Sequence, residues 1–245
     1  MTSTEGVTGV LLDIEGTTTP ISFVHEVLFP FASARVKEFF KAHGGSSEAA
    51  EIADALHEEY RDDLAQGLNP PSWAALDDLD AATAYVQWLI GLDRKSTPLK
   101  RLQGQVWQLG YESGELKGEL FGDVPGALEG WHQRGHRVAI FSSGSALAQK
   151  LLFASSMAGD LTPFIDAYFD TTLGPKTEAD SYRRIARALG VPAPSIVFVS
   201  DVTKELAAAR AAGMEAVLSI RPGNLPQRDA GQYRQVKSFL EIFRF

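Results

Sequence analysis

The chain has 245 residues, of which 44% are hydrophobic and 22% are charged, a balance typical of a globular protein with a sizeable core. Its formal net charge of −8 argues against nucleic acid as a partner, because binding to a phosphate backbone requires a basic surface. The absence of cysteine excludes disulfides, thiolate catalysis and cysteine-based zinc sites. There is no signal-peptide pattern and no apolar run near the ~20 residues of a membrane span, so we expect a cytoplasmic protein that does not contact a membrane.

The first predicted element is a buried strand over Val10-Leu11-Leu12. Asp13 and Glu15 follow it two residues apart, so their carboxylates lie on the same side of an extended chain, and Gly16 then permits a sharp turn. Ligands bind at this end of a parallel strand, where two acids could hold Mg²⁺ and one could attack phosphorus. The alternative is a chance Asp-x-Glu-Gly sequence in an exposed turn.

The stretch 22–121 contains helical patterns and almost no strand signal. The spacing of apolar residues predicts helices over 31–43, 47–64, 79–92 and 100–111, separated by glycine and proline breakers. We therefore predict a helical domain of residues 22–121, inserted into an α/β core made of residues 1–21 and 122–245.

The C-terminal half alternates short apolar runs with helical stretches. Strands are predicted over 137–141, 167–169, 195–199 and 216–220, and helices over 145–154, 179–189 and 204–212. This alternation predicts a doubly wound parallel sheet with right-handed crossovers.

Polar residues follow these strands, and parallel strands bring their carboxyl ends to one edge of the sheet. The residues that should meet there are Asp13, Glu15, Ser142, Ser143, Lys176 and Asp201, with Glu205 one helical turn further on. Acids, one lysine and a hydroxyl are what Mg²⁺-assisted phosphoryl transfer requires.

This set resembles the motifs of the haloacid dehalogenase-like hydrolases, in the same order along the chain. The resemblance implies that Asp13 is the nucleophile, Ser142 the hydroxyl of the second motif, Lys176 the lysine of the third and Asp201 the metal-binding acid of the fourth. The inserted helices resemble the C1-type cap of that superfamily, whose core is a Rossmann-like doubly wound sheet.

A longer stretch, Asp13-Ile14-Glu15-Gly16-Thr17-Thr18-Thr19-Pro20-Ile21-Ser22-Phe23-Val24, is similar to the enolase-phosphatase family of methionine salvage (acireductone synthases). Most phosphatases of the superfamily have Asp where this chain has Glu15. Further similarity is found over 105–117, 141–145, 174–176 and 198–205, so the resemblance spans nearly the whole chain.

The resemblance implies a bifunctional enzyme that enolises 2,3-diketo-5-methylthiopentyl-1-phosphate and then removes phosphate to give the acireductone. It implies a monomer with one Mg²⁺ per chain, bound at Asp13, Glu15 and Asp201. Substrate would bind at Ser142, Ser143 and Lys176, while Asp13, Glu15 and Lys176 would be catalytic. We add the hypothesis that Glu15 contacts the metal through its backbone carbonyl, which leaves its side chain free for proton transfer.

Two other functions are compatible with the residues. One is another Mg²⁺-dependent capped phosphatase or a phosphonatase, which would need a Schiff-base lysine in its cap. The candidates for that lysine are Lys37, Lys41, Lys95, Lys100 and Lys117. The other is a binding protein without activity on the same fold, since fold alone does not determine function.

Several single residues also have structural interpretations. Ser142, Ser143 and Asp201 could be helix N-caps, and Glu205 could orient Lys176 or be a surface residue.

Residues of the predicted helical domain also have two interpretations each. His25 and Glu26 could contact the substrate or belong to a hinge. Trp107 and Tyr111 could form the helical core or line a methylthio pocket. We expect three tryptophans to occupy core positions: Trp73, Trp88 and Trp131. We expect four histidines to lie on the surface: His43, His57, His132 and His136. Phe239, Phe243 and Phe245 could dock on the core or on a partner.

Overall fold

The computed structural model describes residues 6–243, so Phe245 lies outside the described residues. The chain divides into two units: Met1–Val24 with Lys117–Phe245, and His25–Leu116. These divisions lie a few residues from the domain boundaries predicted at residues 21 and 122. No helix within residues 6–243 combines the length and apolar character needed to cross a membrane.

The first unit contains a parallel sheet whose described strands are arranged in the order β3-β2-β1-β4-β5-β6. The strands are β1 (Gly9–Leu12), β2 (Arg137–Phe141), β3 (Ala167–Phe169), β4 (Ile196–Ser200), β5 (Glu215–Ser219) and β6 (Arg234–Val236). The chain runs outward from β1 to β3 and then crosses back to β4, so the order reverses between β1 and β4. Ligands bind at such a switch point in open α/β sheets.

Helices α5 (Val124–Gln133), α6 (Ala146–Ala154), α7 (Ala179–Leu189) and α8 (Thr203–Ala211) surround this sheet. Helix α5 contacts β2, α6 contacts β3, and α8 contacts both β4 and β5. The sequence pattern predicts the last three helices but neither α5, which contains two glycines and a proline, nor the three-residue β6.

Alternate strand residues point to opposite faces of the sheet. Leu11, Phe141 and Phe198 belong to a buried cluster with Tyr182 and Leu206, which come from α7 and α8. The intervening residues, such as Leu12 and Ile140, are also fully buried. Burial on both faces explains why these strands are continuous apolar runs rather than alternating ones.

The second unit consists of helices joined by loops, with no strand among its described residues. A π-helical segment, Phe23–Leu28, leads into α1 (Phe29–His43), followed by α2 (Ser47–Ala65), α3 (Leu79–Gly91) and α4 (Thr97–Glu112). Ser46, Asp78 and Ser96 cap the last three of these helices by accepting hydrogen bonds from backbone N–H groups of the first turn.

Aromatic rings fill part of the interior of this helical unit. Trp73 is fully buried against Tyr60 and Tyr85, whereas Trp88 is half-buried. His57 is also half-buried and its Nε2 lies 3.2 Å from the carbonyl oxygen of Trp73, so the expectation of a surface histidine is wrong there.

Candidate active site

The residues predicted from the sequence follow the strands around the switch point of the sheet. Asp13 comes directly after β1 and its N–H donates to Val199 in β4 at 3.0 Å. Asp201 comes directly after β4, and Ser142 directly after β2. Lys176 lies in the loop between β3 and α7. The chain therefore brings the four motif residues to the carboxyl edge of one sheet.

The Asp13 carboxylate is buried and hydrogen-bonded at both oxygens. Its Oδ1 lies 2.6 Å from Nζ of Lys176 and accepts a 2.7 Å hydrogen bond from the N–H of Ile14. Its Oδ2 lies 3.1 Å from the hydroxyl of Ser200. These partners fix the carboxylate in one orientation, which is what a nucleophile or a metal ligand requires.

Lys176 connects Asp13 to a second buried acid. Its ammonium lies 2.7 Å from Oε2 of Glu205, and the side chain is only 9% exposed. Burial acts to lower the pKa of Lys176, but the negative charges of Asp13 and Glu205 outweigh it and the pKa is raised. Lys176 is therefore held as a cation, and Glu205 contacts it rather than lying free on the surface.

The main chain at Lys176 is also fixed. The fully buried Tyr182 of α7 donates a 2.7 Å hydrogen bond from its hydroxyl to the Lys176 carbonyl oxygen. The ring of Tyr182 packs edge-on against Phe141 and Phe198 of the sheet. The position of the lysine thus depends on the hydrophobic core beneath it.

Ser200 is a site residue that the motifs did not reveal. Its hydroxyl lies 3.1 Å from Oδ2 of Asp13 and 3.1 Å from Oε2 of Glu205, and accepts a hydrogen bond from the N–H of Val202. A hydroxyl has one proton, so it donates to one of the two carboxylates at a time. The signal in the sequence was a polar residue ending an otherwise apolar strand.

When they are all ionised, the acids around Lys176 carry more negative charge than one lysine neutralises. Burial, followed by the negative charge of Asp13, raises the pKa of Asp201 to about 7. The same two causes raise the pKa of Glu205 to about 8. Glu15 also acts on Asp201 with the same sign. A cluster of this charge favours a divalent cation.

The turn after β1 approaches Asp201 very closely. Gly16 has φ of +67°, and a Cβ at this position would lie 2.5 Å from Oδ2 of Asp201 and 2.8 Å from Oδ1 of Asn224. Only glycine fits here, for reasons of both backbone conformation and space. The Oδ2 of Asp201 and the Oδ1 of Asn224 beside Gly16 form what we call the oxygen cradle. Oxygen atoms are the ligands of hard cations such as Mg²⁺.

The donors around this cradle are compatible with Mg²⁺ if its ligands are not all side chains. Within residues 6–243, no three acidic or histidine side chains converge closely enough to hold a metal by themselves. Mg²⁺ usually keeps several waters and takes one or two carboxylates, so Asp13 and Asp201 with a backbone carbonyl and water would suffice. Glu15 is half-buried and forms an isolated β-bridge with Thr19, which fixes its backbone.

The structure revises the capping interpretation of the polar strand ends. The N-cap of α6 is Ser145, whose hydroxyl accepts from the N–H of Ala148 at 3.2 Å, so neither Ser142 nor Ser143 caps it. Ser142 is buried with its hydroxyl 3.4 Å from the N–H of Gly144, and Ser143 is half-buried. Asp201 does not cap α8 either, since that helix starts after Val202 without a side-chain cap.

Trp107 and His25, two residues of the helical unit that the sequence suggested as possible substrate contacts, pack against an aromatic ring of the same unit. Trp107 is buried, donates from Nε1 to the carbonyl oxygen of Leu28 at 2.8 Å, and stacks on Phe29. His25 meets Phe29 edge-on, with ring centroids 5.2 Å apart. Tyr111 is also buried. Trp107 and Tyr111 thus belong to the interior of this unit.

Comparison with known proteins identifies relatives along nearly the whole chain. A sequence model described as haloacid dehalogenase-like hydrolase matches residues 7–213. Enolase-phosphatase E1 of Synechococcus elongatus is 50% identical, over 96% of this chain and 98% of that protein. A Sorghum bicolor protein, the probable bifunctional methylthioribulose-1-phosphate dehydratase/enolase-phosphatase E1, is 46% identical over 95% of this chain, which covers 46% of that longer protein.

A solved structure supports the same grouping. The crystal structure of the Unknown transcript 4 protein of Saccharomyces cerevisiae has a TM-score of 0.76 and 36% identity, and the match covers 95% of this chain and 98% of that one. With the parallel sheet, its helical insertion and the order of Asp13, Ser142, Lys176 and Asp201 along the chain, these matches lead to one conclusion. The chain belongs to the haloacid dehalogenase-like hydrolases and, within them, to the enolase-phosphatases.

Proposed function

We propose that this protein is a Mg²⁺-dependent enolase-phosphatase that converts 2,3-diketo-5-methylthiopentyl-1-phosphate to the acireductone and phosphate. Family membership supports the two activities. The observation that carries the proposal is the Asp13 carboxylate, held by Lys176 and Ser200 at the switch point with Asp201 beside it.

The name of the Sorghum relative supports the choice of substrate, because it couples this activity to dehydration of methylthioribulose-1-phosphate. Loss of water from a ketose phosphate gives an enol that tautomerises to a diketone and retains the phosphate at carbon 1. The proposed substrate is therefore the expected product of such a dehydratase. The helical unit inserted after β1 corresponds in chain position to the C1-type cap that the resemblance implies.

For the phosphatase step we assign the following roles to the residues at the switch point. A carboxylate oxygen of Asp13 attacks phosphorus as the bond from phosphorus to the oxygen on carbon 1 breaks, and that oxygen leaves as an enolate that takes up a proton to give the acireductone. Water then releases phosphate from the aspartyl-phosphate. Lys176 neutralises charge on the phosphoryl oxygens, and Ser142 and Ser143 hydrogen-bond to them. In this role Glu205 positions Lys176, because its carboxylate lies 2.7 Å from the ammonium.

The enolase step needs a base for the proton on carbon 1 and a positive charge for the developing enolate. We assign the base to the side chain of Glu15, whose backbone carbonyl, with Asp13 and Asp201, would face the cation. A bound Mg²⁺, one per chain, supplies the charge that stabilises enolate and phosphoryl oxygens. The monomeric state and the cytoplasmic location stay predictions.

The phosphonatase alternative requires a lysine whose amine is desolvated and so unprotonated. Of the candidate lysines, Lys37, Lys41, Lys95 and Lys117 are exposed. Lys37 pairs with Asp80 at 2.5 Å and Lys95 pairs with Asp93 at 2.7 Å. These four side chains lack the burial that would desolvate a Schiff-base lysine, so the phosphatase is the better supported function.

The test compares matched Asp→Asn variants on the diketo phosphate with Mg²⁺. We expect Asp13→Asn to abolish phosphate release while the protein stays folded. Asp180→Asn, an exposed change in the same unit, should retain full activity. Phosphate release by Asp13→Asn at the wild-type rate would contradict the assignment of the nucleophile.

A further inference from the structure

Asn224, in the loop after β5, ties the end of that strand to the turn after β1. Its Nδ2 donates to the carbonyl oxygen of Gly16 at 3.0 Å and to that of Ser219 at 3.1 Å. Carbonyl oxygens only accept, so these two contacts determine which end of the amide is nitrogen. The orientation of Oδ1 follows from them.

The other end of this amide is buried and unsatisfied. Among the residues that the structure describes, none hydrogen-bonds to Oδ1 of Asn224. Buried acceptors are almost always paired, by protein or by ordered water, and an exception calls for a donor that completes the site. The candidate donors are the groups that would occupy the adjacent space.

The carboxylate of Asp201 borders the space beside Oδ1 of Asn224. Oδ1 of Asn224 and Oδ2 of Asp201 lie 2.8 Å and 2.5 Å from the same point, the position a Cβ of Gly16 would take. Both oxygens are acceptors when Asp201 is ionised, so neither satisfies the other. A cation beside Asp201 brings the missing donors, because Mg²⁺ dehydrates reluctantly and its bound waters donate hydrogen bonds.

We propose that Asn224 is a positioning residue of the metal site, with Oδ1 accepting a hydrogen bond from a water molecule bound to the cation at Asp201. The inference rests on the proposed Mg²⁺ dependence. It adds a residue 23 positions beyond the last motif acid and outside the motifs identified in the sequence. Such outer partners of a metal site typically change metal affinity by ~10- to 100-fold when removed.

The test is a calorimetric titration of the purified full-length protein with Mg²⁺ alone, so the readout does not depend on turnover. We expect Asn224→Ala to weaken Mg²⁺ binding by ~10-fold or more. The matched control is Ser219→Ala. The buried Ser219 hydroxyl lies 3.4 Å from the same Gly16 carbonyl, so this change loosens the turn without altering the oxygen beside Asp201.

Asn224→Ser provides a second truncation if the alanine variant does not fold, and it should weaken Mg²⁺ binding similarly. Affinity within twofold of wild type in the folded Asn224 variants, or a loss no larger than that of Ser219→Ala, would overturn this role for Asn224. Asp201→Asn separates the two proposals. If wild type binds Mg²⁺ and Asp201→Asn does not, the metal site stands whatever Asn224 does. If wild type does not bind Mg²⁺, or Asp201→Asn binds it equally well, the proposed metal site and the Asn224 role both fail.

Discussion

Replacing Gly16 by alanine should separate the stability of the fold from the integrity of the site. The backbone there is left-handed, with φ of +67°, which costs an alanine about 1–2 kcal/mol. The new Cβ would also lie 2.5 Å from Oδ2 and 2.7 Å from Cγ of Asp201. A normal contact begins near 3.4 Å, so the carboxylate must move by roughly 1 Å, a displacement that can reduce turnover by ~100-fold.

Gly190 provides the control, because it has the same φ of +67° and no atom lies within 4 Å of the point that a Cβ would occupy there. We expect Gly190→Ala to lose about 1–2 kcal/mol of free energy of unfolding in urea titrations through its backbone, and Gly16→Ala to lose at least as much, because its Cβ also displaces Asp201. Only Gly16→Ala should weaken Mg²⁺ binding by at least ~10-fold and turnover by ~100-fold. Equal Mg²⁺ affinity and turnover in the two variants would refute the idea that Gly16 forms part of the cradle around Asp201.

Three further changes test other parts of the molecule. Tyr182→Phe should lower kcat several-fold, because the main chain at Lys176 loses the hydrogen bond from the Tyr182 hydroxyl. The control, Tyr85→Phe, removes an equally buried hydroxyl in the helical unit and should lower only the melting temperature. Equal kcat values for the two variants would count against a role of Tyr182 in positioning Lys176. Burial acts to raise the pKa of Asp123, but hydrogen bonds from Arg221 outweigh it, so the pKa of Asp123 is lowered in the folded protein. The ionised carboxylate therefore stabilises the fold above about pH 4, and this stabilisation is lost as the pH falls through the pKa of Asp123 in the folded state. Asp123→Asn should therefore reduce the free energy of unfolding by ~3 kcal/mol at pH 7 and flatten its acid dependence below pH 4 in denaturant titrations; an unchanged acid dependence would contradict this. Chelation of divalent cations should abolish enolisation and phosphate release together, and added Mg²⁺ should restore both; activity that persists in excess chelator would exclude the proposed metal dependence.

The sequence predicts the sheet and the edge where the motif residues meet because the relevant signals are local. An apolar run followed by an acid, as at Asp13 and Asp201, predicts a buried strand and its exit without knowledge of the partner strands. The parallel arrangement then requires these exits to share one edge. The roles of these residues in binding and catalysis stay predictions.

The residues that complete the site have no such local signal. Ser200 hydrogen-bonds to Asp13, which lies 187 positions away in the chain, and Asn224 hydrogen-bonds to Gly16, which lies 208 positions away. The periodicity of residues 124–133 is interrupted by glycines, and α5 forms there because its apolar side chains are buried against the sheet. Long-range packing of this kind decides the outcome where the local pattern is weak.

The most direct test of the central claim supplies 2,3-diketo-5-methylthiopentyl-1-phosphate with Mg²⁺ and follows ultraviolet absorbance and free phosphate together. We predict an enol signal that precedes or accompanies phosphate release, with acireductone as the product. Glu15→Gln should bind Mg²⁺ normally and lose the enol signal. Phosphate release without an enol or acireductone signal in the wild-type protein would contradict the two-step function and leave a simple phosphatase.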